Sequence, residues 1–348
     1  MRQLVIENTI INDNSDCFVI AEVGHNHQGS VETAKQIFDK AKEAGANAVK
    51  LQKRDNKQLF TKEMYDSHYD SKNAYGDTYG AHRDALEFGM EEYVELQQYA
   101  KELGLILFAT PFDLPSVDFL EKLDMPLYKI ASGDLKSTPL LKYVAKTGKP
   151  VIVSTGGGEM DDVQRAYDVI TAENPNIAIL QCTAAYPCEP EEMNLNVITT
   201  FREKFPDKVI GLSDHQSGIS MALVAYTLGA RIVEKHFTMN RAWRGTDHAF
   251  SLEPVGLTKI VRDLKRARVA LGNNEKKSIE KEKKPLFKMG KKLVAASVLN
   301  KGKIITDADI TIKSPNDGLS PYEWDNVIGL TLQRDLMKDE NISFEDLS

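Results

Sequence analysis

Apolar residues along the first 270 positions gather into short continuous runs separated by amphipathic stretches. The runs close near Glu22 (CFVIAE), Gln52 (ANAVKLQ), Thr110 (LILFAT), Ser132 (LYKIAS), Ser154 (VIVS), Thr183 (AILQCT), Ser213 (VIGLS) and His236 (IVEKH). Unbroken runs of this kind belong to parallel strands covered on both faces, because a sheet with one wet face would alternate apolar and polar residues. Between the runs, Val31 to Ala44, Glu91 to Leu103, Ser116 to Leu123, Met160 to Thr171 and Ser217 to Leu228 follow the helical period. Gly45, Gly104, Gly148 and Gly229 stand just past the ends of such stretches, where a helix commonly closes. Eight strand and helix units, mostly 20 to 30 residues apart, predict an α/β fold of the (β/α)8 TIM-barrel type.

Two stretches break the pattern. Lys53 to Phe88, rich in Tyr, Lys, Asp and Asn, makes one interval too long and predicts an inserted loop on the catalytic face. Residues 271–284, LGNNEKKSIEKEKK, are charged and lack apolar periodicity, so they predict a linker between a catalytic barrel at 1–270 and a small β-rich module at 285–348. That module has short β runs (LVAASV, ITIK) and glycines at 302, 318 and 329. At about 60 residues it is marginal alone and is expected to lean on another surface.

The chain has 348 residues and a formal net charge of −7, with a pI near 5.6. This balance argues against a nucleic-acid or anionic-membrane partner, although a local basic pocket remains compatible with it. No apolar run approaches a membrane span, and MRQLVIENTI lacks the features of a signal peptide, so the expected location is cytoplasmic. Cys17, Cys182 and Cys188 fit no disulfide framework or zinc module; the first two lie in apolar runs and read as small buried hydrophobes.

In a barrel of this type the strand ends converge on one mouth. His215 and His236 close two successive runs, so their imidazoles form a half-open site for a divalent metal, or else are two structural histidines. Lys50, Thr110, Lys129, Ser132, Ser154 and Ser213 bring two ammonium groups and four hydroxyls to the same mouth, a donor set suited to a small dianion such as a phosphate. A strand-end Ser or Thr also caps helices. A lysine inside an apolar strand is harder to explain without an anion, because its desolvation is costly. Carboxylates complete the set: Glu22, Asp134, Asp214, Glu234 and Asp247 could bind a cation, orient an imidazole or move protons, and Asp214 and Glu234 could equally be structural ion-pair partners.

The segments AEVGHNHQGS (21–30), AVKLQK (48–53), YKIASGD (128–134), VSTGG (153–157), LQCTAAYP (180–187), GLSDH (211–215), VEKHFT (233–238) and GTDHAFSLEP (245–254) resemble the sialic acid synthase family. AASVLNKGKIITDADITIKSP, at the start of the last module, resembles that family's antifreeze-like (SAF) domain. The resemblance implies condensation of phosphoenolpyruvate with N-acetylmannosamine or a close relative and water, giving N-acetylneuraminate and phosphate by C–O cleavage. It implies His215 and His236 as ligands of Mn2+, with Mg2+ or Co2+ as alternatives. It implies Lys50, Thr110, Lys129, Ser132, Ser154 and Ser213 around phosphoenolpyruvate, and Glu22, Gln52, Asn73, Tyr186 and Asp247 around the open-chain sugar. Glu22 and Asp134 would be the catalytic carboxylates, and the assembly a domain-swapped homodimer. The chain departs from the family pattern at Asp134, where many members carry Glu, and at Ser314, where bacterial relatives often place Arg.

Three alternatives stay open: a synthase using the sugar 6-phosphate or making another nonulosonate, a Schiff-base aldolase using Lys129, and an ice-binding or adaptor role for the last module. The free sugar is the expectation. The long loop Lys53 to Phe88 and WRGTDHAFSLEP resemble the animal enzymes that take the sugar phosphate, whereas Asn73 and GLSDH match free-sugar enzymes and Asp77 adds a negative charge to the loop; Lys53, Arg54, Lys57, Lys72 and Arg83 could supply a basic cluster for a second phosphate, but as loop cations they read as solvated.

Overall fold

Each of the eight apolar runs forms a parallel strand: β3 (Phe18–Glu22), β4 (Ala48–Lys53), β5 (Ile106–Pro111), β6 (Tyr128–Ile130), β7 (Val151–Ser154), β8 (Ile177–Cys182), β9 (Val209–Asp214) and β10 (Ile232–His236). In the computed structural model, which describes residues 2–348, they close into a ring in chain order, β10 pairing with β3. This is the (β/α)8 TIM barrel. The register sets Glu22 beside Lys50 on one side and beside His236 on the other.

Side chains alternate between the faces of each strand. Val19, Ala21, Val49, Leu51, Ala109, Val151 and Val153 pack outward with the helices, whereas Phe18, Ile20, Ala48, Phe108, Ile152, Leu180 and Ile232 fill the interior. One inward step further along the strands, the interior turns polar at Glu22, Lys50, Thr110, Lys129, Ser154, Ser213 and Glu234. The catalytic mouth begins there.

The opposite end is closed by an element that the spacing of runs did not reveal, the antiparallel hairpin β1 (Gln3–Ile6) and β2 (Thr9–Asn12). Its Leu4, Ile6 and Ile11 are almost fully buried in the interior cluster. Asp13, just past the hairpin, joins Arg2 at 3.2 Å to Arg202 at 2.8 Å, and Arg2 also donates to the Arg202 carbonyl at 2.6 Å.

The helices Val31–Ala44 and Met90–Leu103 end at Gly45 and Gly104 in left-handed conformations. The third begins at Leu114, earlier than its apolar period, because the Asp113 carboxylate accepts the Ser116 amide at 2.7 Å. Ser132 and Thr183 fall just beyond β6 and β8, Ser132 opening a single turn over Ser132–Asp134. The long insertion is also more ordered than its composition predicted, with short helices Asn56–Leu59, Lys62–Asp66 and Tyr79–Asp84, each begun by a side-chain cap from Asp55, Thr61 or Thr78.

The chain divides into two units, Met1–Gly272 and Asn273–Ser348. The second pairs β11 (Lys292–Ala295) with β12 (Ile310–Lys313) around its own core of Leu293, Leu299, Ile305, Ile310, Val327 and Leu332. Among the described residues no helix is long and apolar enough to cross a membrane.

Truncating a plug residue should loosen the barrel from below: Leu4→Ala is expected to destabilise the protein by about 2 to 5 kcal/mol. Ile10→Ala, at a half-exposed position of the same hairpin, should cost at most about 0.5 kcal/mol. Urea unfolding of the two variants checks this, and equal costs would contradict the plug.

Candidate active site

The polar mouth encloses a cavity of about 490 Å³. At its floor the Lys50 ammonium lies 3.2 Å from Glu22 Oε2 and 3.2 Å from Glu234 Oε1, and donates to Thr110 Oγ1 at 2.9 Å. Lys129 donates to Ser154 Oγ at 2.6 Å and stands 3.7 Å from Glu234. All four charged groups are at most 5% exposed, so their mutual attraction is weakly screened.

Two carboxylates sharing one ammonium do not titrate alike. Burial, only partly offset by Lys50 and reinforced by the charge of Glu234, pushes Glu22 up to about 7. Burial acts on Glu234 in the same direction, but Lys129 and Lys50 together hold it below the usual carboxylate range. Glu22 is therefore the group that exchanges a proton near neutrality. Its Oε2 faces the Lys50 ammonium at 3.2 Å and its Oε1 accepts Gln52 Nε2 at 2.7 Å, whereas the Oε2 of Glu234 is buried without a hydrogen-bond partner. The chain passes this corner at Gly24, φ +51°, where a Cβ would meet Asp247 Oδ2 at 3.1 Å and Glu22 Oε1 at 3.3 Å. Only glycine fits here without strain.

Beside the floor, the rings of His215 and His236 have centroids 5.5 Å apart, and Tyr186 packs over both at 4.1 and 6.1 Å. His215 Nδ1 lies 2.8 Å from the Thr183 carbonyl, an acceptor, so this nitrogen carries the hydrogen and Nε2 keeps its lone pair. His236 Nδ1 is buried without a hydrogen-bond partner, 3.7 Å from Asp247 Oδ2, and burial lowers the ring's affinity for a proton. Neutral imidazoles with a free nitrogen fit a divalent cation. Among the described residues no group of three or more His, Cys, Asp or Glu side chains converges as a metal site. A cation here would thus take the rest of its shell from water and substrate.

Of the residues singled out from sequence, Glu22, Lys50, Gln52, Thr110, Lys129, Ser132, Ser154, Tyr186, Ser213, His215, His236 and Asp247 line this one cavity. Two do not. Asn73 sits in the long loop and accepts the Gly245 amide at 3.3 Å. Asp134 is not among the lining residues; one of its oxygens is buried and unpartnered, and burial, partly offset by Arg54, raises it to about 6. Asp214 pairs with Lys235 at 2.9 Å on strand positions that alternate with Ser213, His215, Glu234 and His236, so its role is structural. Cys17 and Cys182 are buried, and Cys182 Sγ accepts the Ser132 hydroxyl at 3.3 Å. The lining also includes His25, Arg54, Phe112, Arg83, Thr246 and Phe250, which had no place in the set drawn from the sequence. Arg54 was within reach of strand periodicity, since Lys50, Gln52 and Arg54 fall on alternate positions.

A closed parallel barrel whose mouth gathers two buried ammonium groups, hydroxyl donors and a pair of open imidazoles is an enzyme scaffold for small anionic substrates. Comparison with known proteins gives the family. Residues 37–276 match the NeuB family and residues 292–348 the SAF domain. The N-acetylneuraminate-9-phosphate synthase of Homo sapiens is 38% identical over 330 residues, 94% of this chain and 92% of that protein. The N,N'-diacetyllegionaminic acid synthase of Campylobacter jejuni is 34% identical over 328 residues, 93% of this chain and 98% of that one. The crystal structure of N-acetylneuraminic acid synthetase from Leptospira borgpetersenii superposes with a TM-score of 0.72 at 31% identity, covering 82% of this chain and 95% of that one. The chain belongs to the NeuB family of sialic acid synthases and carries a C-terminal SAF domain.

The shared ammonium generates a titration prediction. In the metal-free protein the Glu22 carboxyl, followed by carbon NMR, should titrate near 7. Glu234→Gln removes the neighbouring negative charge and leaves Lys50 to Glu22 alone, so the midpoint should fall. A midpoint that stays or rises would contradict the sharing.

Proposed function

We propose that this chain is a phosphoenolpyruvate-dependent nonulosonate synthase. C3 of phosphoenolpyruvate attacks the carbonyl carbon of an open-chain N-acylated amino sugar of the N-acetylmannosamine type, water adds at C2, and phosphate leaves by C–O cleavage. The observation that carries this reading is the cavity floor. A phosphorylated carboxylate there meets the Lys50 and Lys129 ammonium groups and the hydroxyls of Thr110, Ser132, Ser154 and Ser213. The names of the human and Campylobacter relatives, both for synthases of sugar acids, support it.

The atoms balance simply. Water loses one proton as its oxygen bonds to C2 and its second as the C2–O bond to phosphate breaks and the ketone forms; the first goes to the carbonyl oxygen of the sugar, whose carbon has bonded to C3, and the second leaves with the phosphate. Glu22, which exchanges a proton near neutrality and faces the cavity, takes the water's proton and returns it. Glu234, held ionised between the lysines, is the carboxylate that steadies positive charge developing at C2. In this scheme it replaces Asp134, which stands outside the lining. The lysines act as electrostatic clamps and form no imine.

His215 and His236 would hold a divalent cation, Mn2+ first, with Mg2+ or Co2+ as alternatives. When bound, such an ion supplies Lewis-acid polarisation of a carbonyl group. Asp247, 3.7 Å from His236 Nδ1, adds a negative charge beside that ring. Gln52 and Tyr186 face the hydroxyls of the acceptor from the cavity wall.

Inorganic phosphate should appear from phosphoenolpyruvate only when an acceptor sugar and Mn2+ are both present, and His215→Ala or His236→Ala should abolish it without unfolding the protein. Full activity after chelation would refute the metal assignment. Lys129→Ala should cost about 2 to 5 kcal/mol in kcat/KM. Borohydride trapping of pyruvate on Lys129 would instead establish the aldolase alternative.

A further inference from the structure

The imidazole pair sits on strand ends whose ladder stops short of it. β9 and β10 pair from Gly211 opposite Ile232 to Asp214 opposite Lys235. His215 lies one residue beyond the last paired position of β9, whereas His236 still pairs with Glu22 on β3. From the β8 side His215 is held twice: its carbonyl accepts the Cys188 amide at 3.1 Å, and its Nδ1 lies 2.8 Å from the Thr183 carbonyl. Toward β10 the connection passes to a side chain.

That side chain is Lys235. It alternates with Glu234 and His236 and so projects away from the cavity, and neither it nor Asp214 belongs to the lining. Its ammonium donates to Asp214 Oδ2 at 2.9 Å and to the Gln216 carbonyl at 2.6 Å. Asp214 Oδ1 in turn accepts the Gln216 amide at 2.9 Å. The residue before His215 and the residue after it are therefore tied to each other and to the β10 residue that precedes His236. A closed hydrogen-bonded ring brackets His215.

Lys235 and Asp214 are each 2% exposed. A buried ion pair adds little net stability, because desolvation offsets the attraction, and an apolar pair of similar volume commonly holds a fold as well. An apolar pair cannot bond to the Gln216 carbonyl. We propose that Lys235 is a positioning residue for His215: through Asp214 and Gln216 it fixes the backbone on both sides of that imidazole, and with it the 5.5 Å separation of the two ring centroids. The inference deepens the metal reading above, since two imidazoles share one cation only at a set separation and orientation. It bears on the tautomer as well. The hydrogen bond that a neutral imidazole makes decides which nitrogen carries the hydrogen, so a backbone that drifts from Thr183 admits the form whose Nε2 has no lone pair for a metal.

The test compares the wild type with the double variant Asp214→Leu, Lys235→Met, an apolar pair that leaves no charge unpaired. Gln216 is partly exposed, so water can replace what its backbone loses. Urea unfolding reads the scaffold, the nitrogen-15 signals of the His215 ring in metal-free protein in mildly alkaline buffer read the tautomer, and Mn2+ titration followed by electron paramagnetic resonance reads the site. The double variant should unfold at nearly the wild-type urea concentration, while the two ring signals, well separated in the wild type, draw together and the Mn2+ Kd weakens about 10-fold. A stable double variant with unchanged ring signals and unchanged Kd would overturn the proposal and leave the pair as scaffold. If the wild type binds no Mn2+, the metal reading fails and the ring signals alone decide: convergence upholds the positioning role, and unchanged signals overturn it. If the double variant does not fold, Asp214→Asn takes its place, keeping the shape of the pair while setting an amide N–H against that of Gln216. There too, converging ring signals uphold the role and unchanged signals overturn it.

Discussion

One ammonium group, that of Lys50, is shared between two buried carboxylates, and the chemistry of the mouth depends on that sharing. Burying an ion pair is seldom favourable by itself, since desolvation offsets most of the Coulomb gain. The arrangement persists because the strands leave little alternative: the register places Glu22 beside Lys50, and Glu234, paired with Ile20 on β3, projects inward from β10 to reach the same ammonium. The outcome is a floor whose two ammonium groups are balanced by two buried carboxylates before substrate enters. A floor of that kind can admit a dianion without keeping two free cations buried beforehand.

The same alternation that builds the floor also separates scaffold from site. Below it, the inward positions are apolar and are sealed by Leu4, Ile6 and Ile11 of the N-terminal hairpin. Above it, inward positions carry His215, His236 and Arg54, each two or more residues beyond a floor-level residue. The packed lower half fixes the strand positions rigidly, so polar groups on the upper half are held where packing, and not their own hydrogen bonds, puts them. This explains how a buried oxygen of Glu234 and the Nδ1 of His236 can remain without a hydrogen-bond partner. Such groups await a ligand.

Much of this was legible in the sequence because strands covered on both faces read as apolar runs, and a lysine within such a run, as in AVKLQ or LYKIA, announces itself. The hairpin was not legible: its two runs of four residues are short and lie before the repeating pattern begins. The small helices of the long loop were hidden by polar composition, although the caps at Asp55, Thr61 and Thr78 were present as signals. Asp134 was placed in the site by its neighbourhood to Ser132, but it belongs to the turn over Ser132–Asp134 that follows the strand, and it is not among the lining residues. Glu234 looked as much like a structural partner as a functional one, because its two lysines come from strands that only the closed ring brings beside it. Arg54 looked solvated because it follows the strand. The inward alternation continues one step past the last paired residue, and no reading by element boundaries registers that.

A clamp that holds phosphate while water adds at C2 requires that phosphate leave by C–O cleavage, so the bond that breaks is the deciding observation. Phosphoenolpyruvate labelled with oxygen-18 at the bridging C2–O position tests this directly. The label should emerge in the released inorganic phosphate, with the C2 oxygen of the sugar acid drawn from water. Label retained at C2 of the product would mean P–O cleavage, and would contradict Lys50 and Lys129 as the phosphate clamp and Glu22 as the base that activates water.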